Sequence, residues 1–214
     1  MSRRGRPGRA GPPDRFGDVR LTFGARELRD LAVAWAALGL AFGIFFAGGG
    51  ARFLAGQPVR LLAVSMATAG VGFLLHELAH KVAAVRLGQP AAFRADYGML
   101  FLAVVSALAG FLFAAPGAVY HPGGTSDRDS GLIALAGPVT NVALALLFLP
   151  ALLAGGDLLG QVGNYGVLVN VLLAGFNMLP FGPLDGKKVL AWSKPVFAVA
   201  FVLTVGPGAL LLLA

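Results

Sequence analysis

The apolar residues of this chain fall into six long runs, separated by short connectors that are polar or rich in glycine and proline. The runs are Leu31–Ala47, Leu61–Val85, Met99–Val119, Leu132–Ala154, Gly166–Phe181 and Pro195–Ala214. Most of them reach or approach the roughly 20 residues that an α-helix needs to cross about 30 Å of hydrocarbon. The pattern predicts a chain of helices, without an internal repeat.

The composition indicates the medium in which these helices lie. Of the 214 residues, 57% are hydrophobic and 13% are charged, whereas roughly 25% are charged in an ordinary soluble domain. A compact body of this size cannot bury so much apolar surface. We therefore expect a multi-pass protein of the cell membrane. Because cysteine is absent, any metal ion would be held by His, Asp or Glu.

The basic residues are concentrated at the start of the chain. Eight of the 17 precede the first apolar run: Arg3, Arg4, Arg6, Arg9, Arg15, Arg20, Arg26 and Arg29. Basic segments beside membrane helices favour the cytoplasmic side, so residues 1–25 are predicted to be a flexible, Arg-rich cytoplasmic tail and residues 26–214 the transmembrane domain. The aromatic residues of this segment are not interleaved with the arginines in a pattern that supports base stacking, and we expect no nucleic-acid partner.

One apolar run carries three ionisable side chains close together: His76, Glu77 and His80. At 3.6 residues per turn the two histidines share a helix face, so both can bind a single Zn²⁺. Glu77 is rotated by about 100° and can reach a water at the metal without being a ligand. The alternative is a polar contact between membrane helices. It must explain three adjacent ionisable groups at a depth where each is costly.

Asp185 is the candidate third ligand. Catalytic zinc uses three protein ligands and keeps one position open. Asp185 follows Pro180 and Pro183, which preclude a regular helix, so this stretch should line a cavity or be buried in protein. Alone, such an Asp is more often a loop carboxylate, but the histidine pair reverses that preference. His121 is interpreted as a connector residue, because a fourth protein ligand would fill the open position.

Two segments together resemble the signature of the site-2 protease family of intramembrane zinc metalloproteases, in its compact form without PDZ or CBS domains. They are HELAH at His76–His80 and NMLPFGPLDG at Asn177–Gly186, and AGPVTN at Ala136–Asn141 resembles the family helix between them. The resemblance covers about residues 61–190, the expected catalytic core.

The resemblance implies an endopeptidase that cuts transmembrane helices of other membrane proteins, as in regulated intramembrane proteolysis. It implies one zinc ion per chain, bound by His76, His80 and Asp185, with Glu77 as the general base. It also implies that Asn177 positions the substrate or stabilises the oxyanion. The expected partners are a transmembrane protein substrate and the lipid bilayer, while the oligomeric state stays open.

The ligand positions constrain the membrane topology. Zinc bonds of about 2.0–2.2 Å require all three ligands to lie at one depth. The histidines lie in the C-terminal half of their run and Asp185 lies at the C-terminal end of its own, so these two runs must point the same way. An odd number of crossings must separate them, although two runs intervene. Met99–Val119 is the better candidate for a re-entrant segment, because Gly110, Pro116 and Gly117 interrupt it.

The charges favour the same topology. With five crossings, 15 basic residues, Lys81 among them, lie on the cytoplasmic side and two lie outside. With six crossings the division is 11 against six, so the positive-inside rule favours five. We therefore predict an all-α polytopic membrane protein with five crossing helices, one membrane-embedded re-entrant segment and a cytoplasmic N-terminus.

Several assignments stay open at this point. Asn141 is either an interhelical hydrogen-bonding residue or one that supports a metal ligand. Residues 114–120 form either an edge strand that pairs with an extended substrate or an ordinary re-entrant loop. A membrane zinc protease with a glutamate as third ligand is disfavoured, because no glutamate follows Glu77. A non-catalytic metal-binding or metal-transporting membrane protein is the remaining alternative.

Overall fold

A computed structural model describes residues 19–114, 116–120 and 125–213, with side chains as far as residue 207. Most of the predicted tail, residues 1–18, and His121 lie outside the described part. The helices are α1 (Ala25–Phe46), α2 (Gly50–Ala55), α3 (Pro58–Ser65), α4 (Val71–Arg86), α5 (Tyr97–Leu108), α6 (Asp127–Ala154), α7 (Leu158–Asn177), α8 (Asp185–Trp192) and α9 (Lys194–Leu213). The strands are β1 (Ala92–Ala95) and β2 (Gly117–Tyr120).

Four helices in the described part are long and apolar enough to cross a membrane: α1, the continuous helix Pro58–Arg86, α6 and α7. Their outward faces carry large apolar side chains, and Leu147 and Leu153 are more than 70% exposed. Such a surface is suited to lipid contact rather than to water. These helices indicate a membrane protein. The part of α9 whose side chains are described, Lys194–Pro207, is apolar but shorter, so the fifth crossing stays a prediction.

The helix Pro58–Arg86 contains one wide turn. Residues Met66–Gly70 between α3 and α4 form a π-helical turn, which pairs each N–H with a carbonyl five residues back. The indole Nε1 of Trp35 on α1 donates to the Met66 carbonyl at 3.2 Å. A Cβ at Gly70 would lie 2.7 Å from the Trp35 ring, so glycine permits this close approach. Trp35 thus fixes α1 against the turn from which α4 starts.

The third apolar run does not form one crossing helix. It contributes the 12-residue helix α5 and then returns as β2, which pairs antiparallel with β1 from Ala92↔Tyr120 to Ala95↔Gly117. Because β1 and β2 are neighbours, the chain enters and leaves this excursion at one place. The two-stranded sheet departs from the predicted all-α class. Helix periodicity could not reveal it, since the two strands are separated by more than 20 residues in the chain.

The next two helices pack as a long antiparallel pair. Helix α6 continues through Pro138 and Pro150, and α7 begins at Leu158, eight residues before the predicted run. At their junction Arg60 donates to both carboxylate oxygens of Asp157 at 2.6 Å. These hydrogen bonds lower the pKa of Asp157 below its ordinary value. Helix α6 also packs against α4 and α8, which places it between the segments of the candidate metal ligands.

Candidate metal centre

The two histidines of α4 are oriented by acceptors on α6. His76 Nδ1 lies 2.5 Å from Asn141 Oδ1, and His80 Nδ1 lies 2.7 Å from the Ile133 carbonyl oxygen. Both partners accept, so each Nδ1 carries the proton and each Nε2 presents a free lone pair. This hydrogen-bond network selects the tautomer that a metal ligand needs, since ligating histidines donate their other N–H to such acceptors.

Asp185 reaches the histidines from the other half of the chain. Helix α7 ends at Asn177, and residues 178–184 form an irregular link that turns at Gly182, where φ is +59°. Asp185 is the first residue of α8. Its Oδ2 lies 3.4 Å from His76 Nε2 and 3.2 Å from His80 Nε2. The structure therefore brings together the three side chains that are the candidate ligands in the sequence.

The arrangement of these donors suits a metal ion. The two Nε2 atoms are 2.9 Å apart, and tetrahedral bonds of about 2.0–2.2 Å would place ligand atoms roughly 3.3–3.6 Å from one another. Without a cation, two lone pairs and a carboxylate oxygen would repel one another. Among the described residues Asp185 Oδ2 has no hydrogen-bond partner, and all three side chains are buried. His76, His80 and Asp185 can hold a metal ion.

Glu77 lies beside this group but is not part of it. It is buried at 7% exposure, and its Oε2 has no hydrogen-bond partner among the described residues. The backbone of Val119 on β2 faces the Glu77 carboxyl group. A carboxylate with a free oxygen next to a metal site is positioned to accept a proton from water. The hairpin therefore borders the site through this strand.

Gly137 brings α6 against the ligand pair. A Cβ at this position would lie 2.5 Å from His76 Cε1 and 2.6 Å from His80 Cε1. Real Cβ atoms essentially never approach other atoms within 3.0 Å. Only glycine therefore allows the α6 backbone to cover both imidazoles while Asn141, one turn further, accepts from His76.

The relatives of the chain agree with this chemistry. It is 37% identical over 188 residues to a protein of Methanocaldococcus jannaschii named "Putative zinc metalloprotease MJ0611", covering 86% of this chain and 93% of that relative. The chain belongs to a family of zinc metalloproteases. A second relative, "Putative zinc metalloprotease YwhC" of Bacillus subtilis, is 31% identical over 159 residues, which are 65% of this chain and 72% of that relative. No protein-family model and no solved structure matches the chain.

In this member of the metalloprotease family a chain of amides supports His76. Asn141 Nδ2 donates to Asn170 Oδ1 at 2.8 Å and to the Gly72 carbonyl at 3.3 Å. Asn170 Nδ2 in turn donates to the Gly166 carbonyl at 2.8 Å. Both open interpretations of Asn141 thus apply, because it links helices and supports a candidate ligand. Asn170 was missed, although an asparagine within an apolar run was a usable signal.

Asn177 is not one of the three side chains that could hold a metal ion. It is the last residue of α7 and partly buried, and its Nδ2 donates to the Leu173 carbonyl at 3.0 Å. The side chain therefore folds back onto its own helix. Its expected role with the substrate stays a prediction.

Proposed function

We propose that this chain is an intramembrane zinc endopeptidase of the site-2 type. In this proposal one Zn²⁺ is bound by His76, His80 and Asp185, and the enzyme hydrolyses peptide bonds in or near transmembrane helices of other membrane proteins. One observation carries the proposal: three buried ligands converge beside Glu77 within a set of helices apolar enough to cross a membrane. Membership of a zinc metalloprotease family supports the choice of metal and of reaction.

The chain's own groups can carry out the proton transfers of hydrolysis. When bound, zinc supplies Lewis acidity, which polarises a carbonyl group and makes water a better nucleophile. The free oxygen of Glu77 takes a proton from the attacking water while the oxygen of that water bonds to the peptide carbonyl carbon. When the C–N bond breaks, Glu77 returns that proton to the amine. Asn177 would donate to the oxyanion, after leaving the Leu173 carbonyl.

The hairpin offers a place for an extended substrate. Residues 117 and 119 of β2 turn their backbone groups away from β1, because hydrogen-bonded positions alternate along an antiparallel ladder and the Asp96 N–H donates to the Pro116 carbonyl. The backbone of Val119 on this outer edge already faces the Glu77 carboxyl group. A substrate strand added to this edge would run alongside Glu77. An unwound substrate is needed because a helix engages its own carbonyls in hydrogen bonds.

The proposed topology has five crossings, with the α5 excursion as the re-entrant segment, α9 as the last crossing and the N-terminus in the cytoplasm. The adjacency of β1 and β2 supports it, since an excursion that returns to its starting place does not change sides. The charge division between cytoplasmic and outer connectors supports the same orientation.

The test compares zinc content with cleavage of a transmembrane test substrate in detergent or liposomes. We expect Glu77→Gln to retain about one zinc per chain and to lose at least ~10²-fold in cleavage rate, because only the proton acceptor is removed. We expect Asp185→Ala to lose both zinc and cleavage. Asp157→Asn, which removes a carboxylate far from the ligands, serves as the matched control.

Two results would contradict the proposal. Cleavage by Glu77→Gln at the wild-type rate would remove Glu77 from the reaction. A wild-type protein that binds zinc and moves it across liposomes without cutting the substrate would favour the metal-transport alternative.

A further inference from the structure

The outer edge of β1 is sealed by two buried carboxylates of α1. The Phe93 N–H donates to Glu27 Oε1 at 3.0 Å, and the backbone of Ala95 faces the Asp30 carboxylate. These backbone groups point away from β2, because the Asp96 N–H faces β2 and donates to the Pro116 carbonyl at 3.0 Å. An ordinary edge strand leaves such donors to solvent or to another strand. Within the described hairpin, only the outer edge of β2 is left free to pair.

Glu27 also binds the helix that carries the metal ligands. Lys81, the residue after His80, places its Nζ 2.6 Å from both carboxylate oxygens of Glu27. The same Nζ donates to the Thr22 carbonyl at 2.5 Å and lies 3.9 Å from the centroid of the Phe23 ring. Lys81 is 1% exposed and Glu27 is 3% exposed. The buried carboxylate of Glu27 therefore connects α4, which carries the candidate histidine ligands, to the backbone N–H of Phe93 on β1.

Asp30 secures the other end of β1. Its Oδ1 accepts from the hydroxyl of Tyr97, the first residue of α5, at 2.7 Å. Glu27 and Asp30 are three residues apart on α1 and so lie on one face of that helix. The strand is thus held by Glu27 at the Phe93 N–H and by Asp30 through Tyr97, just beyond its end. Two strands of four residues form a hairpin that is marginal without such support.

We propose that Glu27 and Asp30 are positioning residues that set the free edge of β2 against Glu77 and thereby align the scissile peptide of the substrate. This inference rests on the proposed proteolytic function and on strand addition at β2. The path is short: the two carboxylates hold β1, β1 holds β2 through the ladder, and Val119 of β2 faces Glu77. Because the outer edge of β1 is closed, a substrate strand can pair with one edge of the hairpin instead of two.

The experiment measures how strongly each variant depends on backbone pairing by the substrate. Two synthetic transmembrane peptides are compared, one unmodified and one N-methylated at backbone nitrogens flanking the cut. N-methylation removes the donor that strand addition needs. For the wild type we expect kcat/KM to be about tenfold lower for the N-methylated peptide when the methyl group replaces an N–H that pairs with β2.

Glu27→Gln and Asp30→Asn each loosen one attachment of β1. For both variants we expect a KM for the unmodified peptide about tenfold above the wild-type value, with kcat within about twofold and with wild-type zinc content. In both variants the ratio of kcat/KM for the unmodified peptide to that for the N-methylated peptide should fall towards one. A displaced β2 edge no longer pairs with the backbone donor that N-methylation removes. This coupling between variant and substrate separates positioning from general destabilisation.

The two variants protect the test against a failure to fold. Glu27→Gln leaves Lys81 as a buried charge without its carboxylate, which is strongly destabilising, whereas Asp30→Asn leaves the Lys81–Glu27 pair intact. Asp157→Asn is the control, with both peptides cleaved as by wild type. The inference is overturned if the variants slow both peptides by the same factor, or if they cleave both like the wild type. A wild-type protein that cuts neither peptide would overturn the proposed function, and this inference with it.

Discussion

Replacing Gly137 by alanine tests how closely α6 must approach the metal ligands. The added Cβ would lie 2.5–2.6 Å from atoms of His76 and His80, about 0.9 Å inside the 3.4 Å at which ordinary Cβ contacts begin. Metal–ligand distances tolerate about 0.2 Å, so the rings cannot yield this far and still ligate together. Overpacking of this kind costs about 1–3 kcal/mol, which corresponds to a zinc affinity lower by roughly 5- to 150-fold.

The affinity is measured by competition with a chromogenic zinc chelator, on detergent-solubilised protein whose helix content is checked by circular dichroism. Gly206→Ala is the matched control, because Gly206 also lies in a helix but a Cβ there meets nothing within 4 Å. We expect the control to bind zinc like the wild type. If Gly137→Ala also binds zinc within twofold of the wild type, the close approach of α6 does not constrain the ligands.

Two further predictions concern the support of a ligand and the response to pH. Asn141→Leu leaves the His76 Nδ1–H without its acceptor and should weaken zinc binding about 10- to 100-fold, while Asn141→Asp retains an acceptor and should lose less; equal losses would refute the tautomer argument. Because the hydrogen bonds from Arg60 lower the pKa of Asp157, they stabilise the fold above the ordinary Asp pKa, and this stabilisation is lost as the pH falls through the lowered folded value. The small Tm difference between wild type and Asp157→Asn should therefore shrink on acidification, and a constant difference would contradict it.

The paired histidines were identifiable in the sequence because their signal was local, and together with them Asp185 became a candidate ligand. His76 and His80 are one helical turn apart, and an ionisable pair within an apolar run needs a specific reason. Asp185 stood out through the prolines that precede it. Asn170 was not predicted, since its importance depends on which helix faces α4, and a single run of residues does not encode that.

The burial of one basic residue could not be predicted from its neighbours in the sequence. Lys81 was counted with the cytoplasmic charges, but the structure buries it against Glu27, 54 residues earlier in the chain. The positive-inside rule weighs charges by their place in the sequence and cannot detect a buried partner. The two-stranded sheet was missed as a fold element for a related reason: its ladder joins segments on either side of α5, and only residues 114–120 had been considered as a strand.

The π-helical turn at Met66–Gly70 bears on how the length of this segment can vary. A wide turn takes up about one residue more than an α-helical turn of similar rise. If one residue were deleted there, the segment could close into an uninterrupted α-helix without re-aiming the histidines. The same deletion a few residues later would rotate His76 and His80 by about 100° away from α6. Insertions and deletions among homologous chains should therefore be tolerated within this turn and excluded between it and His76.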